Sequence, residues 1–253
     1  MNSRPDFAFS DVVVLAGGAG KRLGRLAGRM PKPMVPVLGR PFLEWVVIYL
    51  RSLGFGTFIM SVGYRRDAIK SHFGSGDGLE VEVRYVEEST PLGTGCALGR
   101  ASAAAGTRDV LVLNGDSLCM CDMAAFFRFH RINDGGATIC CSRVRDTSRY
   151  GTVTTGEGGL VEAFMEKGRS SGEGIINAGM YWMSKSFMKD IPDLFPLSLE
   201  KEVFPRCAYG TLYAYRSAAD FIDIGTPEGL SRAPDFLRRN GFLHLPSAAG
   251  ERR

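Results

Sequence analysis

Glycines and basic side chains are grouped near the start of this chain in a way that suits a phosphate-rich ligand. The segment 15–24 has the sequence LAGGAGKRLG and follows a β-branched run. A glycine-rich turn after a strand lets backbone N–H groups approach phosphate oxygens closely. Lys21, Arg22 and Lys32 add three positive charges within twelve residues. A phosphorylated ligand is therefore the favoured interpretation, and a tight turn with solvated basic residues is the alternative.

This turn matches neither of two common nucleotide-binding patterns. A P-loop requires GxxxxGK followed by Ser or Thr, but Gly20 and Lys21 precede Arg22, and position 15 is Leu. A dinucleotide-binding turn requires GxGxxG, and here the last glycine is displaced. A nicotinamide-dependent oxidoreductase is accordingly disfavoured.

Alternating strands and helices must position these residues. Apolar runs predict strands at 11–18, 57–63, 79–88 and 109–117, with helical patterns at 41–54, 65–74 and 93–106. This alternation implies parallel pairing in an open α/β sheet. Ligands of such sheets bind beyond the carboxyl ends of strands. The glycine-rich turn and the sequence Asn114-Gly115-Asp116 both fall at such ends.

The second half of the chain has a mixed pattern. It predicts helices at 124–134, around 198–204 and from Thr226, and strands at 137–144, 151–155, 177–184 and 211–217. There is no internal repeat and no linker rich in Pro, Gly or Ser. We therefore expect one domain over residues 1–253, with a core of about 10–240 and flexible termini. Its fold class is α/β, a Rossmann-like open mixed sheet, mostly parallel and flanked by helices.

Composition excludes several other classes. The net charge is +4, and no run of five or six basic residues supports binding to nucleic acid. No apolar run approaches the roughly 18 residues of a membrane helix, and the first ten residues lack the apolar core of a secretory signal. None of the six cysteines forms a CxxC pair. We expect buried free thiols in a reducing cytoplasm.

A longer stretch carries a family resemblance. LAGGAGKRLGRLAGRMPKPMVPVLGRP resembles the signature of sugar nucleotidyltransferases, LAGGxGxRLxxxxxxxPKPMxPVxxxP. The later blocks of that family follow in order as PLGTG, NGD, EKG, NAG and FIDIGTPE, so the resemblance covers about residues 12–237. It implies a glycosyltransferase-A-like fold. It also implies an enzyme that joins a nucleoside monophosphate, taken from a nucleoside triphosphate, to a sugar 1-phosphate and releases pyrophosphate with the help of Mg²⁺.

The resemblance assigns residues to each substrate. It places the nucleotide at Leu15, Ala16, Gly17, Gly18, Gly20, Lys21, Arg22, Lys32, Pro91, Gly93, Thr94, Asn114, Gly115 and Asp116. It places the sugar 1-phosphate at Tyr150, Gly151, Glu166, Lys167, Asn177 and Gly179. Lys21 departs from the family pattern, since many members have Thr there, which puts the contacts to the triphosphate in doubt.

The same resemblance implies roles in catalysis for four residues. Asp116 and Asp223 would hold Mg²⁺, Arg22 would clamp the β- and γ-phosphates, and Lys32 would steady the α-phosphate. An aspartate that merely caps a turn is the alternative for each carboxylate. In the sugar pocket, Lys167 would meet the 1-phosphate and Glu166 would accept hydrogen bonds from sugar hydroxyls. A solvated surface pair is the alternative there.

The choice of base and sugar rests on fewer residues. Glu88, near Gly93 and Thr94, can accept the paired N1–H and N2–H donors of guanine, a pair that uracil and thymine lack. The segments SRYGTV and SLEKEVFP and the chain length resemble the heptose-1-phosphate guanylyltransferase branch, which would use GTP. A mannose-1-phosphate guanylyltransferase, a uridylyl- or thymidylyltransferase, and a nucleotide-sugar sensor without turnover are the alternatives. Relatives often form dimers, so a homodimer is compatible with the resemblance.

Overall fold

The computed structural model describes residues 5–18, 30–192, 196–208 and 210–246. Its strands are β1 (Val12–Leu15), β2 (Pro36–Val37), β3 (Arg40–Pro41), β4 (Thr57–Val62), β5 (Glu82–Glu87), β6 (Asp109–Asn114), β7 (Ser117–Cys119), β8 (Ala137–Val144), β9 (Thr152–Thr155), β10 (Val161–Met165), β11 (Gly174–Ser184), β12 (Leu212–Ser217) and β13 (Phe221–Asp223). Its helices are α1 (Phe42–Ser52), α2 (Arg66–Phe73), α3 (Gly93–Ala104), α4 (Met123–Asn133), α5 (Lys185–Lys189), α6 (Phe204–Cys207) and α7 (Pro227–Arg239).

A nine-stranded mixed sheet organises the chain. Its order is β10-β9-β11-β6-β1-β4-β5, and β8 pairs with both β11 and β12. The strands β6, β1, β4 and β5 are parallel to one another, whereas β11 runs antiparallel to β6. This confirms the open mixed α/β sheet with flanking helices. Two small ribbons stand apart from it: β2 with β3, and β7 with β13.

Apolar side chains cover both faces of the central strands. Val12 and Val14 belong to the core on one face, together with α1, α4 and α7. Val13 and Leu15 belong to the core on the other face, together with α3, α5 and α6. A strand covered on both sides needs an unbroken apolar sequence, which is why β1 reads VVVL.

The ends of elements near the cleft have local causes. The Thr226 side chain accepts the N–H of Gly229, and Pro227 occupies the first turn of α7; both features favour a helix start. The predicted strand 109–117 is split, because residues 115 and 116 turn between β6 and β7. The predicted strand 79–88 begins only at Glu82, since Asp77–Leu79 form a 3₁₀ turn and Glu80 has a φ of 53°.

Two aromatic anchors extend the core beyond the expected limits of about 10–240. Phe7 lies 5.5 Å, ring to ring, from Phe55. Phe242 lies 5.5 Å from Tyr49 and packs on Phe236, and it is 1% exposed. The packed core therefore reaches Phe7 and Phe242, a few residues beyond each of these limits. The segments DFAF and GFLHL are too short for a periodic pattern that would predict which of their apolar side chains is buried.

Two further properties bear on the sequence expectations. The six cysteines are free thiols, and all but Cys207 are buried. Among the described residues, no helix has the length and apolar character needed to cross a membrane.

The burial of Phe242 makes a testable prediction. Replacing Phe242 by Ala should lower the free energy of unfolding by about 3 kcal/mol, because a filled aromatic site becomes a cavity. Its neighbour Leu243 is 53% exposed, so Leu243→Ala serves as a control that should change stability by less than about 0.5 kcal/mol. Urea denaturation measures both; equal effects would show that Phe242 does not anchor the C-terminal segment.

Candidate active site

A cleft of about 850 Å³ opens at the carboxyl ends of β1, β4 and β6. Most of the residues singled out in the sequence line it: Leu15, Ala16, Gly17, Gly18, Lys32, Glu88, Pro91, Gly93, Thr94, Asn114, Asp116, Tyr150, Gly151, Glu166, Lys167, Asn177, Gly179 and Asp223. Gly115 does not line the cleft; its N–H donates to the Leu15 carbonyl at 3.0 Å. Gly20, Lys21 and Arg22 lie outside the described residues. The structure thus brings the expected set together, while the role of each residue stays a prediction.

A buried lysine joins the two aspartates at one end of the cleft. The Lys32 ammonium pairs with Asp116 and lies 3.7 Å from Oδ1 of Asp223. Lys32 is only 8% exposed, and a buried charge of this kind requires charged partners. The three side chains therefore form a compact, mutually dependent charged group.

The β7–β13 ribbon explains why the two aspartates meet. Asp223 is paired with Ser117 in this antiparallel ribbon. The N–H of Ile224 also donates to the Asp116 carbonyl at 2.9 Å. Lys32 enters from a third segment, the 3₁₀ turn Lys32–Met34, where Pro31 and Pro33 stand on either side of it and restrict the backbone. Chain segments far apart in sequence are thus fixed at one point.

Gly225 leaves room for this group. Its N–H donates to Oδ1 of Asp223 at 2.6 Å. A Cβ at this position would collide with the Lys32 ammonium and lie 2.6 Å from the same Asp223 oxygen. The glycine is therefore required by the close approach of the charged side chains.

The carboxylate oxygens at this end of the cleft suit a hard divalent cation. Two carboxylates converge here, and the described residues contain no group of three or more His, Cys, Asp or Glu side chains able to hold a metal alone. Mg²⁺ is usually bound by one or two carboxylates that act together with substrate phosphates and water. Asp116 and Asp223 thus fit a metal that binds jointly with its phosphate substrate.

The glycine-rich turn is held against the end of β4. The N–H of Ala16 donates to the Ser61 carbonyl at 2.9 Å, and the N–H of Tyr64 donates to the Gly17 carbonyl at 3.2 Å. A Cβ on Gly17 would lie 2.7 Å from Oε1 of Glu88. Only glycine therefore lets this turn approach the Glu88 carboxylate.

Glu88 is a buried acid in the same part of the cleft. Its two oxygens accept hydrogen bonds from the Ser61 hydroxyl at 3.2 Å and from the Leu92 N–H at 3.3 Å. Burial raises the pKa of Glu88 above its ordinary value of 4.5, and these hydrogen bonds together with the Arg100 charge oppose the shift. Both oxygens keep further lone pairs, so the carboxylate can still accept hydrogen bonds from a ligand.

Asn177 shapes the opposite half of the cleft. Its N–H donates to the Gly151 carbonyl, its Nδ2 donates to the Tyr181 hydroxyl, and its Oδ1 accepts the Gly179 N–H, at 2.8, 2.9 and 2.8 Å. Gly179 has a φ of +70°, and a Cβ there would lie 2.6 Å from Oγ of Ser117. The pairing of β11 with β8 is irregular between Asn177 and Tyr181, which fits the local bend.

Tyr150 and Glu166 complete this half. The Tyr150 ring stands edge-on to Phe221 at 5.6 Å, and burial, together with the negative charge of Asp223, raises its pKa. Oε1 of Glu166 lies 3.5 Å from the Lys201 ammonium. The alternative interpretation pairs Glu166 with its neighbour Lys167. In the structure, the ion pair of Glu166 is with Lys201, which is distant in the sequence.

Sequence reasoning missed a further set of cleft residues. These are Pro33, Gly63, Tyr64, Arg66, Ser89, Thr90, Ala97, Ser117, Arg149, Ala178, Ser198, Glu200, Lys201 and Phe221. Several of them are adjacent in the sequence to residues that were assigned to the site. This adjacency is the signal from which they could have been predicted. Ser198, Glu200 and Lys201 belong to SLEKEVFP, a segment noted in the sequence only for its resemblance to one branch; nothing in its spacing indicates that it reaches the cleft.

Comparison with known proteins shows the family of the chain. The Nucleotidyl transferase family profile matches residues 11–240. The chain is 36% identical over 245 residues to the mannose-1-phosphate guanylyltransferase of Mycobacterium tuberculosis, covering 96% of this chain and 68% of that protein. It is 34% identical over 233 residues to the D-glycero-α-D-manno-heptose 1-phosphate guanylyltransferase of Aneurinibacillus thermoaerophilus, covering 90% of this chain and 98% of that protein.

A solved structure is also similar to this chain. The crystal structure of HddC from Yersinia pseudotuberculosis, complexed with GMP-PN, superposes with a TM-score of 0.80 at 36% identity, covering 90% of this chain and 99% of HddC. The chain therefore belongs to the nucleotidyl transferase family.

Gly225 provides a test of the charged group. Gly225→Ala should lower turnover at least tenfold, because its Cβ displaces Lys32 or Asp223 from their positions, and a small misplacement of a positioning residue is costly. Stability should change little, since flexible side-chain ends can move. Gly78→Ala is the matched control, because a Cβ there meets nothing within 4 Å. Steady-state kinetics and thermal unfolding of both variants decide; full activity of Gly225→Ala would refute the close approach.

Proposed function

We propose that this protein transfers GMP from GTP to D-glycero-α-D-manno-heptose 1-phosphate, forming GDP-heptose and pyrophosphate. An oxygen of the sugar phosphate attacks the α-phosphorus of GTP. The new P–O bond forms as the bond between the α-phosphorus and the β-phosphate oxygen breaks, and pyrophosphate leaves. The attacking phosphate is already ionised, so no side chain has to act as a nucleophile.

The observation that carries this proposal is the pairing of Lys32 with Asp116 and Asp223 in a cleft of a family member. Two anions must meet in the reaction, so neutralisation of charge and positioning supply most of the catalysis. Lys32 donates to the α-phosphate, where charge develops, and the prolines on either side limit its movement. Asp116 and Asp223 would hold a divalent metal ion; we propose Mg²⁺, which would neutralise phosphate charge.

Guanine selection is assigned to Glu88. An ionised carboxylate accepts both the N1–H and the N2–H of guanine, and uracil and thymine do not offer that pair of donors. Glu88 faces the cleft beside the Gly17 turn, with lone pairs that Ser61 and Leu92 do not use. The relatives named guanylyltransferases support the same base.

The heptose is favoured over mannose by the segments SRYGTV and SLEKEVFP, which resemble that branch. Two relatives named D-glycero-α-D-manno-heptose 1-phosphate guanylyltransferase, from Aneurinibacillus thermoaerophilus and Campylobacter jejuni, are each 34% identical to this chain. Mannose 1-phosphate is the second candidate, because the mannose relative is slightly more identical, at 36%. We place the enzyme in the cytoplasm, where its free thiols would stay reduced.

The first experiment measures pyrophosphate release across a matrix of substrates. GTP, UTP, CTP, dTTP and ATP are each combined with heptose, mannose, glucose and N-acetylglucosamine 1-phosphates, with Mg²⁺ and with EDTA. We expect Mg²⁺-dependent release with GTP and the heptose. Preference for GTP and mannose would select the second candidate, and no release from folded protein with any pair would leave a non-catalytic nucleotide-sugar sensor.

The two aspartates should be separately essential. Asp116→Asn and Asp223→Asn should each lower kcat at least about 100-fold, because each removes a negative charge from the proposed metal site. Asp235→Asn changes an exposed aspartate of α7 and should leave kcat unaltered. Circular dichroism confirms folding, and turnover is measured over a Mg²⁺ titration; near-normal activity in either site variant would remove that carboxylate from the proposal.

Glu88 should make GTP binding dependent on pH. Because burial raises its pKa, the carboxyl gains a proton at a higher pH than an exposed glutamate, and the KM for GTP should rise as the pH falls through that pKa. Glu88→Gln should raise the KM for GTP about tenfold at neutral pH, the scale of one bidentate base contact, and should abolish this part of the pH dependence. Glu82→Gln, at an exposed position of β5, is the control; a pH profile unchanged by Glu88→Gln would argue against base recognition by Glu88.

A further inference from the structure

The segment 198–203 joins the two halves of the cleft, although neither the sequence analysis nor the proposed chemistry gives any of its residues a role in the site. It forms a π turn at Leu199–Val203, directly before α6. The preceding residue, Leu197, donates its N–H to the Leu92 carbonyl and accepts the Gly95 N–H, both at 2.8 Å. The segment therefore starts from the loop assigned to the nucleotide.

Thr94 and Glu200 tie the segment to that loop through side chains. The Thr94 hydroxyl donates to Oε2 of Glu200 at 3.0 Å and accepts the Leu199 N–H at 2.9 Å. The Ser198 hydroxyl donates to the same Glu200 oxygen at 3.0 Å. Glu200 is thus committed to the nucleotide half of the cleft.

The core holds the other side of the segment. Leu199 is fully buried and Val203 is 8% exposed. Phe204, which follows them, packs its ring against Phe164 and Tyr181 at 5.4 and 5.2 Å. Because these contacts fix the backbone, the side chains that the segment directs into the cleft start from a defined position.

Lys201 extends from this fixed turn into the sugar half. Its ammonium lies 3.5 Å from Oε1 of Glu166, and both residues line the cleft. The side chains are 57% and 31% exposed, and an ion pair so accessible to water contributes at most about 1 kcal/mol to folding. The main effect of this ion pair is therefore to orient the Glu166 carboxylate.

We infer that Lys201 is a positioning residue for the sugar substrate and acts through Glu166. This inference rests on the proposed function, in which Glu166 accepts hydrogen bonds from sugar hydroxyls. The ammonium holds one oxygen of Glu166, which leaves Oε2 and the remaining lone pairs of Oε1 directed to the sugar. Since the same turn is bonded to Thr94, the distance between the sugar pocket and the nucleotide loop is set by one short stretch of chain.

The test separates the two substrates. Lys201→Met should raise the KM for the sugar 1-phosphate about threefold to fivefold, the scale of a partly exposed ion pair, with the KM for GTP and kcat unchanged. Lys201→Arg, which keeps the charge, should restore the KM for the sugar. Lys70→Met is the matched control, because Lys70 pairs with Glu87 at similar exposure outside the cleft.

A double-mutant cycle with Glu166→Gln identifies the route of the effect. If Lys201 acts through Glu166, Lys201→Met should add nothing to the KM of the Glu166→Gln variant. An equal rise in both backgrounds would mean direct contact with the substrate, and an unchanged KM in the single variant would mean no role; either result overturns the inference.

Calorimetry tests this inference independently of the proposed reaction, because it measures binding without turnover. The affinity of each variant for heptose 1-phosphate and for mannose 1-phosphate is measured with the full chain and no GTP. A protein that binds a sugar phosphate without turnover would contradict the proposed function, while the dependence of that affinity on Lys201 and Glu166 would still confirm or refute the inference.

Discussion

The ion pairing of Lys32 with Asp116 and Asp223 is the interaction on which the site depends. The lysine is buried, and removing both of its partners would leave a buried charge unpaired, which is strongly destabilising. The three residues come from a 3₁₀ turn, the turn after β6 and the end of β13. The group can form only when the sheet, the β7–β13 ribbon and the start of α7 are all in place.

Close backbone approach is the second constraint, and it explains where glycine is needed. Gly17 lies against Glu88, Gly179 against Ser117 and Asn114, and Gly225 against Lys32 and Asp223. At each point a Cβ would lie closer to a polar side-chain atom than van der Waals contact allows. The cleft is thus lined by backbone groups as well as by side chains, which suits a ligand with many acceptor oxygens.

The two halves of the cleft are built differently. The half proposed for the nucleotide lies at the ends of parallel strands, where Gly17 and Gly63 follow β1 and β4. The half proposed for the sugar is formed by antiparallel strands, where the irregular stretch of β11 places Asn177 and Gly179 at the cleft. The segment 198–203 contacts both halves, through Thr94 on one side and Glu166 on the other.

The sequence by itself determined the class of fold and most of the cleft lining. Alternating apolar runs and helical patterns are local properties, so they predicted β1, β4, β6, α1 and α3, and the family resemblance supplied residues from Leu15 to Asp223. Tertiary structure alone decided the pairing of Asp223 with Ser117, the burial of Phe7 and Phe242, and the contact of Lys201 with Glu166. These depend on the register of distant strands and on the path of the connecting turns, and a linear pattern contains no signal for either.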